Sequence, residues 1–285
     1  MLSNISFEEF YKEEPLPMFN DKKAFLMALL SYSNEFGSKQ IHKLLFLSFV
    51  EGMVLLPFKF SKWQNGPFSE EARDVLSQLE TDQFIENIPE KVFDFSKHKR
   101  ILMSKGLDYL TENKERIAEI KKVINSVIEE YEEDGKIQSA NYLERYCYNN
   151  FYLNSGKSQE EWNLFIKNKI SDLLNLLETR STTIKGLDDL DEDKSEAILA
   201  SFDYIDNLLR KILIDTEMDA VVKGVLLKKM EEFINKWGEI LQLSESSCSE
   251  IELKKLLLEI RIIFKFINEV SIRYGIFESV YGIQE

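Results

Sequence analysis

A tight turn followed directly by a helix start constrains the fold of this chain more than any other sequence feature. Aromatic and polar residues alternate over 58–63, as in a β-strand whose rings share one side. The tripeptide Asn65-Gly66-Pro67 comes next, and it favours a turn because Gly accepts a positive φ and Pro ends a strand ladder. Ser69 and the two glutamates after it are typical of a helix N-terminus. The stretch therefore predicts a strand, a turn and a helix in close succession.

The segments on either side of this turn complete the pattern of a winged helix-turn-helix. Apolar residues at helical spacing predict one helix over 21–35 and a second from Ser38 to about Gly52. The helix that follows the turn extends to about Glu80, and another begins at 104. Two helices, a short third helix and a small β-wing occur in this order in winged helix-turn-helix domains. The β-wing is predicted from strand-like runs at 84–86, 91–95 and 100–102.

Short runs and single residues between 20 and 112 form a recognisable pattern. They are the run Lys43-Leu44-Leu45-Phe46-Leu47, Gly52, Phe58-Lys59-Phe60, Gly66-Pro67-Phe68-Ser69, Leu79 and Phe84-Ile85. In these residues the chain resembles the Panacea family of SocA-like, phage-associated proteins and its winged-helix relatives, whereas Gln64-Asn65 before the turn departs from the family pattern. The family is associated with toxin neutralisation, phage-borne genes and defence loci, so the resemblance implies an antitoxin-like role.

Several positions of this stretch are expected to serve the motif and the fold rather than any chemistry. Each of them belongs to the family pattern, to the turn and the helix cap that follows it, or to the start of the helix after the wing. We therefore expect structural roles for Lys43, Gly66, Pro67, Ser69 and Gly106.

Beyond the wing, the chain is helical in almost every window. A charged amphipathic helix over 113–135 predicts a connection between two parts, and helical spacing of apolar residues continues to the end of the chain. We therefore expect a mainly α protein with three segments. These are a winged-helix domain (1–112), a connecting helix (113–135) and a bundle of about five helices (136–285).

The charge of the chain argues against a dedicated, non-specific nucleic-acid binder. The formal net charge is −14, whereas phosphate contacts supply most of the affinity of such proteins. Residues 1–116 hold 15 Lys and Arg against 18 Asp and Glu, a balance of −3, so −11 lies in the rest of the chain. Two distant cysteines, a start without a basic and apolar leader, and no long apolar run lead us to expect a cytoplasmic protein without a membrane segment.

The sequence offers no catalytic constellation. His42 and His98 are the only histidines, and the C-terminal part has none. No phosphate-cradling Gly-rich loop and no nucleophile elbow occurs, and the acidic run 188–193 lacks the Gly and the distal Glu of a calcium loop. Cys147 has no His nearby in sequence. We therefore expect no catalytic residues, no metal, no cofactor and no enzymatic activity.

The leading hypothesis is a non-enzymatic protein-interaction module. Its partner would be a toxin or a subunit of a defence complex. Association with further copies of the same chain is also compatible with the sequence. Trp63 lies beside a turn, where part of its ring is expected to be exposed. On the last helix, three apolar residues lie off the main apolar stripe. The predicted partner-binding residues are Trp63, Phe68, Leu258, Ile262 and Phe266.

The alternative is a transcriptional regulator that binds DNA weakly through a basic wing. The candidate recognition helix, 69–80, carries four acidic residues against one arginine, so repulsion from phosphates is expected over most of it. In this reading the acidic bundle serves dimerisation or ligand sensing. The DNA contacts would be Arg73, Lys91, Lys97, Lys99 and Arg100.

Overall fold

A computed structural model of the protein describes residues 16–33, 36–89, 98–133, 136–153, 158–187, 190, 192–244 and 250–276. Over these residues the protein is mainly helical with a few short strands, which confirms the mainly α fold class. The chain divides into two compact units. The N-terminal unit comprises residues 16–153, and the C-terminal unit contains the described residues from 158 onward.

The N-terminal unit mixes short strands with helices of two to five turns. Asp21 caps its first helix by accepting from the backbone N–H of Ala24 at 2.9 Å. The elements in chain order are α1 (Lys22–Leu30), β1 (Phe36–Gly37), α2 (Ser38–Val50), β2 (Ser61–Trp63), β3 (Gly66–Phe68), α3 (Glu70–Thr81), β4 (Ile85–Pro89), β5 (His98–Leu102), α4 (Ser104–Glu112), α5 (Lys114–Glu130), β6 (Glu132–Glu133), β7 (Lys136–Ile137) and α6 (Ala140–Asn150).

The C-terminal unit is built from long helices. Its core includes edge-to-face contacts of Phe202 with Phe233 and Trp237, with ring centroids 5.8 and 5.9 Å apart. Ser158 caps the first of these helices, because its hydroxyl accepts from the backbone N–H of Glu161 at 3.2 Å. The helices are α7 (Gln159–Lys185), α8 (Glu192–Ile214), α9 (Ala220–Ser244) and α10 (Glu250–Arg273).

The strands of the N-terminal unit form separate small sheets. In the three-stranded sheet, β5 lies between β1 and β4, and both pairings are antiparallel. The hairpin of β2 and β3 is a sheet of its own, placed between α2 and α3 in the chain. The predicted strand at 91–95 lies outside the described residues. The winged helix therefore stays a prediction.

Helix α2 lies at the centre of the N-terminal unit. Every residue from Ile41 to Val50 is buried, so the helix is covered on all sides. It packs against α5, α6, β1 and β3. Because the run is otherwise apolar, its polar members His42, Lys43 and Ser48 are buried with it. The sequence predicts only one broad buried face for this helix.

The unit boundary differs from the predicted end of the first domain at residue 112. Helix α5 packs on α1 and α2 and contributes Ile117, Ile120 and Ile124 to the core. Helix α6 packs on α2 and β3. Helix α5, predicted as a connection between two parts, is therefore packed into the N-terminal unit, and this unit extends to residue 153.

Gly106, in the first turn of α4, lies directly against the backbone of Phe84. A Cβ atom at this position would lie 2.3 Å from the carbonyl oxygen of Phe84. The expected structural role of Gly106 therefore has a physical basis, because α4 begins directly against the backbone that enters β4.

We expect Gly106→Ala to lower the free energy of unfolding by about 2 to 3 kcal/mol, because the added methyl group must displace backbone. Urea unfolding followed by circular dichroism measures the change. Gly186→Ala is the matched control, since the nearest atoms to a Cβ there lie at 3.6 and 3.7 Å. We expect the control to change stability by less than about 0.5 kcal/mol. Equal stability of the two variants would contradict the packing argument.

Candidate functional site

The β2–β3 hairpin is closed by a glycine in the left-handed region. Gly66 has a φ of +88° and pairs with Trp63 across the strands, while Ser61 pairs with Phe68. Because side chains alternate along a strand, Trp63 and Phe68 share one face of the hairpin. The side chains of Lys62 and Pro67 belong to the opposite face.

Three rings form a stack that runs from solvent into the core. The ring of Trp63 lies 5.3 Å from that of Phe68, with a 30° tilt, and Phe68 lies 4.2 Å from the ring of His42. Trp63 is 51 % exposed, Phe68 is half-buried and His42 is buried. The prediction that Trp63 is partly exposed is confirmed. The rings of Phe68 and His42 support its indole on the side that faces the core.

Two neighbouring side chains of α2 hold the turn from beneath. The Nδ1 atom of His42 accepts a hydrogen bond from the backbone N–H of Ser69 at 3.3 Å. The ammonium group of Lys43 donates to the carbonyl oxygen of Pro67 at 2.9 Å. A Cβ at Gly66 would lie 3.4 Å from the end of the Lys43 side chain. Four of the expected motif positions, Lys43, Gly66, Pro67 and Ser69, are thus brought together.

Burial changes the ionisation of both side chains. It lowers the pKa of His42 to about 3, assisted by the positive charges of Lys43, Arg100 and Arg73. His42 is therefore neutral at pH 7, as its role as a hydrogen-bond acceptor requires. Burial also lowers the pKa of Lys43 to about 8, against the opposing effects of Cys147 and Glu144.

Helix α6 supports the hairpin from a distant part of the sequence. The hydroxyl of Tyr148 donates to the carbonyl oxygen of Gln64 at 3.3 Å. The same helix is anchored to the C-terminal end of α2, because Tyr146 donates to the carboxylate of Glu51 at 2.7 Å. Tyr131, which directly follows α5, donates to the same carboxylate at 2.6 Å. Burial and these bonds raise the pKa of both phenols. The hairpin is thus fixed by α2 and α6 together.

The predicted start of α3 at Ser69 is confirmed. The Ser69 hydroxyl accepts from the backbone N–H of Ala72 at 3.2 Å and donates to the carboxylate of Glu71 at 3.1 Å. On the exposed face of the helix, Arg73 pairs with Asp74 at 3.1 Å and approaches Glu70 at 3.8 Å. Its guanidinium carbon also lies 6.0 Å from the ring centroid of Phe68. Two carboxylates therefore surround the one guanidinium group on this face.

The structure removes Arg100 from the candidate DNA contacts. Arg100 is buried in the central strand β5 and donates from Nε to Glu80 at 3.0 Å, so it cannot reach a phosphate. Arg73 is exposed but its charge is balanced by its acidic neighbours. Lys99 is half-buried in β5. Lys91 and Lys97 lie outside the described residues.

The candidate residues of the last helix belong to the C-terminal unit and differ in exposure. Leu258 is 50 % exposed, whereas Ile262 is half-buried. The prediction for Phe266 is wrong, because its side chain is fully buried. Helix α10 buries a wider face than its main apolar stripe indicates, since Ile263 is also in the core.

The hydrogen bonds that His42 and Tyr148 make to the backbone at the hairpin were not predicted from the sequence. A signal for His42 exists, because a histidine and a lysine stand side by side in a helix whose other residues from Ile41 to Val50 are apolar except for Ser48. Buried polar side chains need partners, so such a pair indicates hydrogen bonds to a nearby backbone. No comparable signal marks Tyr148, which is one of several aromatic residues in α6.

Two further sequence expectations concern absent features. In the described part of the chain, no three His, Cys, Asp or Glu side chains are grouped as metal ligands would be. None of the helices in the described ranges combines the length and the apolar character of a bilayer-spanning segment. The expected cytoplasmic location stays a prediction.

Comparisons of the chain with protein-family models, curated proteins and solved structures find no match. The resemblance of residues 20–112 to the Panacea family therefore stays a prediction.

Burial of neutral His42 predicts acid-sensitive stability. The unfolded state takes up a proton near pH 6.5, whereas folded His42 resists protonation down to about pH 3. Its contribution to stability is therefore complete above pH 6.5 and is lost as the pH falls below that value. Between pH 7 and 5 we expect the wild type to lose about 2 kcal/mol more unfolding free energy than His42→Gln.

Urea unfolding at both pH values measures this difference. His98→Gln is the matched control, because it leaves the buried imidazole in place and should keep the acid sensitivity of the wild type. The same pH dependence in wild type and His42→Gln would show that His42 is not held neutral in the folded state.

Proposed function

We propose that this protein is a non-enzymatic interaction module that binds a partner protein through the surface around its hairpin. This surface, called the hairpin surface, consists of Trp63, Phe68 and the exposed residues Glu70, Arg73 and Asp74 of α3. The observation that carries the proposal is the half-exposed indole of Trp63, stacked on Phe68 above buried His42. Exposed tryptophans with arginine nearby are typical centres of protein interfaces.

The support beneath the hairpin favours this role over that of a mobile loop. Lys43 and His42 hold the turn from α2, and Tyr148 holds it from α6. A surface that is already ordered loses less conformational entropy when a partner binds. The free energy of ordering the hairpin is therefore supplied by folding rather than by association.

We further propose that the N-terminal unit is a winged helix-turn-helix whose third helix contacts protein. Its element order supports this, because α1, β1, α2 and α3 precede β4 and β5, and β5 lies between β1 and β4. Together with the Panacea-like residues of 20–112, this order favours an antitoxin-like protein or an accessory subunit of a toxin–antitoxin, phage or anti-phage defence system.

The alternative of a DNA-binding regulator has less support. Among the described candidates, Arg100 is buried and Arg73 is balanced by Glu70 and Asp74. A phosphate approaching α3 would meet these two exposed carboxylates. The acidic face of α3 instead suits contact with a protein.

The hairpin surface is tested by affinity capture of the full chain from its native host after nuclease treatment. We expect one stoichiometric protein, identified by mass spectrometry, to bind the wild type and to be lost at least about tenfold with Trp63→Ala, since a buried interface tryptophan contributes several kcal/mol. Leu107→Ala is the matched control, because Leu107 is 53 % exposed on α4 and lies outside the hairpin surface.

Circular dichroism of each variant separates loss of binding from loss of folding. Equal capture by folded Trp63→Ala and by wild type would overturn the choice of surface. Recovery of a discrete DNA fragment instead of a protein, when nuclease is omitted, would overturn the proposal in favour of the regulator.

A further inference from the structure

We propose that the hairpin surface binds a cationic side chain, an arginine or lysine of the partner, against the outer face of Trp63 and beside the carboxylates of α3. This inference rests on the proposed function and names the chemistry that the partner must present. It follows from the arrangement of rings and charges around the hairpin.

The indole of Trp63 has one face available for such a contact. Its inner side stacks on Phe68 at 5.3 Å, and half of the side chain is exposed. Tryptophan has the strongest attraction for cations among the aromatic side chains. The stack already accepts one cation, because the guanidinium carbon of Arg73 lies 6.0 Å from the ring of Phe68. A second guanidinium group on Trp63 would extend the same mode of contact.

Charge on this side of the hairpin favours a basic partner. The face that carries Trp63 and Phe68 has Ser61 and Gly66 as its other members, so the strands place no charge on it. Lys62 belongs to the opposite face. Helix α3, which follows the hairpin directly in the chain, exposes Glu70 and Asp74, and Arg73 neutralises only one of these two charges. An incoming cation therefore meets a ring and a surplus carboxylate, whereas an incoming anion meets repulsion.

Trp63 can itself report this contact. The sequence has three tryptophans, and the other two, Trp162 and Trp237, are 4 % and 0 % exposed. A change in tryptophan fluorescence caused by a bound peptide therefore arises mainly at Trp63. The probe is a Gly-Ser peptide of about 12 residues with four arginines, titrated into the full chain, and its control carries four glutamates at the same positions.

We expect a saturable fluorescence change with the arginine peptide and none with the glutamate peptide. Binding should weaken about tenfold in about 0.5 M salt, because exposed charges are then screened. Trp63→Phe should lose the signal. A saturable change that is the same with both peptides would overturn the proposal, since the site would then recognise backbone or shape rather than charge.

Charge reversal locates the site. Glu70→Lys with Asp74→Lys should weaken binding of the arginine peptide about fivefold to tenfold, because attraction is replaced by repulsion. Glu115→Lys with Glu119→Lys is the matched control, since these are also exposed acidic residues four positions apart on a helix of the same unit. Arg73→Gln should strengthen binding about threefold, because it frees both carboxylates of α3.

Equal affinity in the α3 and α5 double variants would overturn the inference, because binding would then depend only on net charge. These experiments distinguish failure of the cationic contact from failure of the hairpin surface. Loss of partner capture in Trp63→Ala without any response to the arginine peptide would leave the hairpin surface as the binding site and reject the cationic contact.

Discussion

The N-terminal unit depends on two hydrogen bonds that the buried side chains of His42 and Lys43 make to the backbone of the turn. Burying an ammonium group is expensive, and the lowered pKa of Lys43 reflects this cost. The cost is offset where the group satisfies a carbonyl that would otherwise be buried without a partner, and Pro67 supplies that carbonyl. The adjacent residues His42 and Lys43 thus bind the backbone at Ser69 and at Pro67. Two attachment points fix both the distance of this segment from α2 and its orientation.

This support connects the interior of the unit with its surface. The ring of Phe68 packs on that of His42, and the ring of Trp63 packs on that of Phe68. The orientation of the exposed indole is therefore determined by α2, a helix that is buried on all sides. The same backbone segment ends at Ser69, which caps α3 and so sets the direction of its acidic face. One internal arrangement therefore positions the aromatic and the charged parts of the hairpin surface together.

The local chemistry of the sequence predicts much of this region. Turn and cap signals at Gly66 and Ser69 predict the hairpin end and the start of α3, and helical periodicity predicts the long helices of both units. Long-range contacts are not readable in this way. The burial of Arg100 depends on its position in the middle strand, with neighbours on both sides, and the burial of Phe266 depends on how widely α10 is covered. The role of Tyr148 depends on the return of α6 to a turn far away in sequence.

Because α5 and α6 close the core, they determine how long a self-contained segment of this chain must be. Residues up to 112 contain all the recognisable signals of the hairpin and the helices around it, yet the apolar faces of α1 and α2 are covered by helices that come later. A gene segment ending at 112 would encode a hairpin without its Tyr148 support and a central helix open to water. A self-contained segment with this core closed therefore has to extend through α6, to residue 153.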